Sequence, residues 1–327
     1  MQQLVANFSN QLRHALTIGK ASKITQPVQT LQNVVIAGLG GSGIGGDIAR
    51  EIVALETTLP ITVTKGYFIP GFVGPHTLFI ASSYSGNTEE TLQAVDEAVK
   101  RNAKVVCITS GGKLLELAQA KGFDHIVVPA GFPPRSCLGY SLTQLLIVFK
   151  TLGIVSRDVE ADLNESIQLL EAEENAIQVL AKDLTEKIHG KTPVLYATTY
   201  NEGVVIRFRQ QLNENSKLLC WHNIIPEMNH NELVAWRETN HNLAVILFRD
   251  ADEYARNDFR IDINKQVISK YTDTLIEVFA KGKSPLAKAI YLIHLGDWIS
   301  CYLAEKRGYD AMEIDVIHNL KKELSRF

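Results

Sequence analysis

Between residues 33 and 130 the chain alternates short β-branched runs with stretches of helical periodicity. The runs are NVVIAG from Asn33, ITVTK from Ile61, TLFIAS from Thr77, KVVCITS from Lys104 and HIVVPA from His125. Helical spacing falls over Asp47 to Leu55, Glu89 to Arg101 and Leu114 to Ala120, and an apolar helix is expected over Gly139 to Leu152. Continuous apolar strands separated by helices predict a parallel sheet covered on both faces. The opening MQQLVANFSNQLRHALTIG has the spacing of an amphipathic helix and lacks the unbroken apolar segment of a leader.

From Val155 to Lys191 a charged segment keeps helical periodicity and is expected to carry the chain from one lobe to the other. The alternation then resumes. TPVLYAT, KLLCW, NLAVILF and TLIEVF are the expected strands, with helices after Asn201, around Asn231, over Ala255 to Tyr271 and from Ser284 to Lys306. The prediction is an α/β protein of two domains, residues 1–155 and 156–327, each a parallel β-sheet flanked by helices on both faces. The halves share a plan but no motif.

Composition narrows the function. With 327 residues, 46% of them hydrophobic, the chain can bury a core in each half. Its net charge of −3, with no block of Lys or Arg, gives no footprint for nucleic acid or an anionic membrane. No run approaches the roughly 18 apolar residues of a membrane span, and the expected location is the cytoplasm. The four cysteines are far apart and form no CxxC, which argues against a zinc ribbon and a disulfide framework.

The first strand leads into VVIAGLGGSGIGGDIAR, where Gly38, Gly40 and Gly43 satisfy GxGxxG. A dinucleotide turn also needs an acidic residue about 20 positions on, at the end of the next strand. Lys65 stands there, and no Gly-Lys-Ser/Thr follows to make a P-loop. Ser42 points instead to a small anion, because a short hydroxyl beside free N–H groups at a helix N-terminus suits one. The third strand ends in ASSYSGNTEETL, which crowds Ser82, Ser83, Ser85 and Thr88 around Gly86 as another helix opens. Ligands of open parallel sheets bind outside the carboxyl ends of the strands, where both turns fall. Gly41, Ser42, Ser83, Ser85 and Thr88 are therefore the candidate phosphate site. Plain N-capping by Thr88 is the competing account of the second cluster.

GLGGSG with SSYSGNTEET resembles the sugar isomerase (SIS) domain. PPRSCLGY (Pro133–Tyr140), QLNENSK (Gln211–Lys217), PEMNHNEL (Pro226–Leu233), LGDWISCYLA (Leu295–Ala304) and the closing VIHNLKKEL extend the likeness over nearly the whole chain, to the bifunctional phosphoglucose/phosphomannose isomerase family. The resemblance implies two SIS domains and a homodimer with sites near the domain and subunit boundaries. It further implies a hexose 6-phosphate substrate, interconversion of glucose 6-phosphate and fructose 6-phosphate through a cis-enediol, and mannose 6-phosphate as a second aldose. No metal or other cofactor is required, and the sequence has no HExxH.

The chemistry needs a carboxylate that moves a proton between adjacent carbons. Glu214 in NENSK is the candidate, expected at a helix C-terminus where the negative dipole end raises its proton affinity. By residue type alone a solvated Glu at a helix end accounts for it as well. The enediolate needs a fixed cation, and the resemblance assigns Arg135, whose approach is stiffened by Pro133 and Pro134. It assigns ring opening to His230, delivered by the other subunit, with Lys321 assisting. Ile314 stands seven residues before Lys321, and Asp315 seven before Lys322, where the family pattern has a threonine that leaves room for either C2 epimer. The rival from another class is a non-catalytic SIS-type sugar-phosphate-binding regulatory protein, which has no need of Glu214, Arg135 and His230 as a set.

Overall fold

The computed structural model describes residues 1–324 and 326. Its first sheet joins β1 (Asn33–Ala37), β2 (Ile61–Thr64), β3 (Thr77–Ser82), β4 (Lys104–Thr109) and β5 (Asp124–Val127) in the order β2-β1-β3-β4-β5. The second joins β6 (Thr192–Thr198), β7 (Trp221–Ile225), β8 (Leu243–Arg249) and β9 (Leu275–Phe279) in the order β7-β6-β8-β9. Every pairing is parallel: Val34 lies beside Ile61 and Leu78, and Val194 beside Trp221 and Val245. No helix among the described residues is long and apolar enough to cross a membrane.

Strand periodicity sorts the side chains into layers. Val34, Ile36, Leu78 and Ile80 point into a core shared by both halves, while Val35, Ala37, Phe79 and Ala81 point outward to α4 (Glu89–Lys100) and α5 (Gly112–Lys121). The second sheet does likewise. Leu195, Ala197, Ile246 and Phe248 enter the shared core, and Val194, Tyr196, Val245 and Leu247 pack on α9 (Ala255–Ile268). Helices α1 (Gln2–Ala6), α2 (Phe8–Ala21), α3 (Gly40–Val53), α6 (Leu138–Thr151), α7 (Val159–Ile188), α8 (Glu202–Glu214) and α10 (Pro285–Lys306) lie toward the layer between the sheets. The charged segment is α7, started by Asp158, whose carboxylate accepts from the Ala161 N–H at 3.0 Å. Its buried stripe of Leu163, Ile167, Leu170, Ile177 and Leu184 packs on α10.

The two halves also meet where α3 runs antiparallel to α8. Gly203, in the first turn of α8, lies so close to α3 that a Cβ there would come within 2.9 Å of Ile48 and 3.1 Å of its backbone nitrogen. The Gly203 N–H donates to both oxygens of Glu51, at 3.0 and 2.9 Å, so the last turn of α3 caps the α8 N-terminus.

Three elements depart from the sequence reading. Helix α3 begins at Gly40, not Asp47, so the glycines form its first turns. The strand placed on KLLCW starts only at Trp221. Closing α8 consumes the intervening residues: Lys217 turns left-handed at φ 52°, and the Leu218 N–H returns to the Leu212 carbonyl at 3.1 Å. Around Asn231 the chain forms two short 3-10 helices, Glu227–His230 and Glu232–Ala235, in place of an α-helix.

Burial lifts the Glu51 carboxyl to about 7, against the Gly203 N–H and Arg50, with Glu202 and Asp47 adding to the rise. A native value above the ordinary 4.5 means that the folded chain keeps a proton the unfolded chain releases. Stability from this group is therefore fully present below the unfolded value and is lost as pH rises to about 7. Glu51→Gln keeps an oxygen for Gly203 and cannot ionise. It is expected to exceed the wild type by on the order of 2 kcal/mol at pH 8, the gap closing toward about pH 5. Thermal unfolding of both proteins at the two pH values checks this, and a gap independent of pH overturns it.

Candidate active site

Leu39 leaves β1 in extended backbone and its carbonyl accepts from the Ser42 and Gly43 N–H groups, which starts α3. The leading N–H groups of the helix, those of Gly40 and Gly41, thereby face outward at its positive end. Gly41 also lets Pro134 approach, since a Cβ there would stand 2.8 Å from the Pro134 carbonyl oxygen. The loop after β3 is tied to the same turn, because the Tyr84 N–H donates to the Ser42 hydroxyl at 3.2 Å. Within that loop the buried Ser83 hydroxyl lies 2.9 Å from that of Thr88, and the exposed Ser85 hydroxyl accepts from the Asn87 N–H at 3.2 Å. Thr88 does stand at the N-cap of α4, yet its side chain makes no capping bond. The capping account of the cluster is therefore incomplete.

Arg135 sits in a one-turn 3-10 helix, Pro134–Ser136, beside Gly41. It is 3% exposed, an ion almost wholly withdrawn from water. Its Nη1 is 3.4 Å from Glu214 Oε2, its Nε donates to Asn215 Oδ1 at 2.8 Å, and its Nη2 donates to the Ala311 carbonyl at 2.5 Å. Burial draws the guanidinium below its ordinary value, and Glu214 pulls it back up. Glu214 is the last residue of α8, at the helix C-terminus as the sequence predicts, and its side chain is 31% exposed. The antiparallel helix pair thus sets the free end of α3, a permanent cation and a solvent-accessible carboxylate side by side.

The other two candidates lie elsewhere in the chain. α8 descends from the carboxyl edge of the second sheet, so Glu214 is at the amino edge, where β7 starts. His230 follows β7 and lies at the carboxyl edge, one strand of roughly 16 Å away. It is exposed, in a segment held by Glu232, whose carboxylate accepts from Tyr196 Oη (2.5 Å), Trp221 Nε1 (3.0 Å) and Asn223 Nδ2 (2.7 Å). Lys321 lies on α11 (Asp315–Leu324), none of whose residues is buried. The strap leading to α11 is nevertheless fastened at the site. Ala311 accepts from Arg135, and Lys217 Nζ donates to the carbonyls of Glu214 and Glu313 at 2.6 and 2.7 Å. Ile314 lies in this strap, half-buried, immediately before α11.

A buried network beneath Arg135 escapes the sequence reading. Arg207 Nη2 donates to the Arg135 carbonyl at 2.6 Å and to Asp297 at 2.9 Å, and Gln211 Nε2 donates to the other Asp297 oxygen at 2.9 Å. The signal was present in α8. Arg207 and Gln211 interrupt a stripe of Val204, Phe208 and Leu212, which marks polar groups pointing into a core.

Residues 32–127 match the SIS domain, and residues 177–324 match the bacterial phospho-glucose isomerase C-terminal SIS domain. Among curated proteins the chain is 37% identical to a bifunctional phosphoglucose/phosphomannose isomerase of Caldicellulosiruptor bescii, covering 99% of both chains. It is 38% identical to one of Thermoplasma acidophilum, over 90% of this chain and 91% of that protein. A D-glucosamine-6-phosphate 4-epimerase of Sulfolobus acidocaldarius is 30% identical over 90% of each chain. Among solved structures, a putative phosphosugar isomerase of Clostridium difficile shares the fold, with a TM-score of 0.76 at 16% identity, covering 95% of this chain and 94% of that one. Parallel sheets in two SIS domains, and full-length identity well above 30%, place this chain in the bifunctional phosphoglucose/phosphomannose isomerase family.

Proposed function

We propose that the protein interconverts glucose 6-phosphate and fructose 6-phosphate through a cis-enediol, and accepts mannose 6-phosphate as the second aldose. The observation that carries this reading is the Glu214–Arg135 pair, 3.4 Å apart, beside the free N-terminus of α3. The 6-phosphate rests on the N–H groups at Gly41 and on the hydroxyls of Ser42, Ser83, Ser85 and Thr88, where helix dipole and hydroxyls replace a lysine. Glu214 takes the proton from C2 of the aldose and returns it to C1, while the hydroxyl proton passes from O2 to O1, which leaves the ketose. During the transfer negative charge grows on the sugar oxygens. Arg135 Nη1 meets it with a charge that is buried and already oriented.

The cyclic substrate opens first. His230 cannot serve the Glu214 of its own chain across the length of β7, so in this reading it enters the site of a second copy. A homodimer is then part of the catalytic machinery, with two shared sites. Lys321 lies eight residues past Glu313, about 12 Å along the helix axis, and α11 would turn it toward the site fastened at its root. Where the family pattern has a threonine seven residues before this lysine, the chain has Ile314, an apolar side chain without a directional demand on the C2 hydroxyl. The likeness to bifunctional relatives supports retention of both epimers.

The test is isomerisation in D2O followed by NMR, with fructose 6-phosphate and mannose 6-phosphate supplied separately. Deuterium is expected at C2 of the aldose product, and Glu214→Gln is expected to lower kcat by about 100-fold or more with its thermal stability kept. Binding of hexose phosphate with no turnover would make the protein a binding module. Inversion at C4 without C2 exchange would make it an epimerase.

Sharing of the site is checked by mixing Glu214→Gln with His230→Ala, each inactive alone. Random subunit exchange is expected to restore about a quarter of wild-type activity, because half the dimers are mixed and each has one intact site. No recovery, with exchange demonstrated, would place His230 and Glu214 in the same subunit's site.

A further inference from the structure

We propose that Asn215 is a positioning residue that fixes the rotation of the Arg135 guanidinium and leaves the Nη1 edge free for the reacting oxygens. The inference rests on the isomerase reading of the Glu214–Arg135 pair. Asn215 is fully buried and immediately follows Glu214. Its backbone N–H closes α8 on the Gln211 carbonyl at 2.9 Å, and the neighbouring Ser216 hydroxyl donates to the Ser300 carbonyl at 2.7 Å, so its Cα has little freedom.

The direction of its side-chain amide is forced by hydrogen-bond polarity. Ser300 Oγ spends its one proton on the Asp297 carbonyl, 2.7 Å away, and can only accept from its other neighbour. That neighbour is Asn215 Nδ2, at 2.9 Å. The amide nitrogen therefore faces Ser300, and the oxygen must face Arg135 Nε, at 2.8 Å. With Nε held by Asn215 and Nη2 by Ala311, the guanidinium plane is clamped on two sides. Nη1 remains, 3.4 Å from Glu214 and too far for a strong bond, as the edge with capacity to spare.

Neutrality of the clamp is as important as its geometry. A carboxylate at position 215 would hold Nε equally well, but would also neutralise the charge the enediolate is meant to meet. An amide holds the guanidinium without spending its charge.

The experiment is a double-mutant cycle on hexose 6-phosphate turnover with Asn215→Leu and Arg135→Lys. Asn215→Leu alone is expected to lower kcat at least about tenfold with KM within about twofold. It is expected to cost nothing further in the Arg135→Lys background, where there is no Nε to hold. Equal losses in both backgrounds would make Asn215 merely structural and overturn the proposal, as would a wild-type kcat. Asn215→Asp covers the case in which the leucine variant fails to fold: Ser300 Oγ must turn its proton from the Asp297 carbonyl to the carboxylate, which costs some thermal stability, but KM is expected to hold while kcat falls, and wild-type kcat would overturn the charge argument. The Nε–H resonance of Arg135, identified by its loss in Arg135→Lys, is read without turnover. Protection from exchange in the wild type and its loss in Asn215→Leu support the clamp, and equal exchange in both overturns it. An inactive wild type with a protected Nε–H would defeat the isomerase reading and leave the clamp standing.

Discussion

A guanidinium almost wholly out of water is the constraint around which this molecule is arranged. Desolvating an ion costs several kcal/mol unless its donors are matched and a counter-charge is near. The partners of Arg135 come from separate regions: Glu214 and Asn215 at the end of α8, and Ala311 in the strap before α11. Its own carbonyl is held by Arg207, which Asp297 of α10 balances. Displacing any of these elements would leave an uncompensated charge or an unpaired donor. The site and the joint between the domains are in this sense one structure.

Much of the fold was legible because it rests on local rules. Val34, Val35, Ile36 and Ala37 form an unbroken apolar run because the sheet is covered on both faces, and alternate members serve different cores. The linking helix was legible from periodicity alone. The failures fall where tertiary geometry overrides propensity. Leu218 and Leu219 look like strand, yet the turn that closes α8 takes them, and Leu219 is left exposed. At α3 the glycines look like a loop, yet the helix begins among them, and at Gly41 the close approach of Pro134 leaves no room for a side chain.

The site divides in the same way. Glu214 at a helix end and the hydroxyl loops at strand ends follow from one-dimensional position and topology. Their convergence does not, because Arg135 and Glu214 are separated by 79 positions and meet only through the antiparallel packing of α3 on α8. Residues that act through others, such as Asn215, Arg207 and Asp297, carry no motif of their own reactivity. They are recognisable only once burial shows that their polar atoms have nowhere else to turn.

The capping of α8 by Glu51 locks the two domains together at a helix end. Each helix of the antiparallel pair carries a glutamate in its last turn: Glu51 of α3 meets the N-terminus of α8, and Glu214 of α8 meets Arg135, which lies beside the N-terminus of α3. The two ends are counterparts of one another but are not equally open. At α3 the leading N–H groups of Gly40 and Gly41 are not capped by Glu214, which turns to Arg135 instead. At α8 the facing glutamate is itself the occupant. The N-terminus of α8 is thus closed from within by a residue of the first domain, so the two domains cannot slide along this helix pair without leaving the Gly203 N–H unpaired.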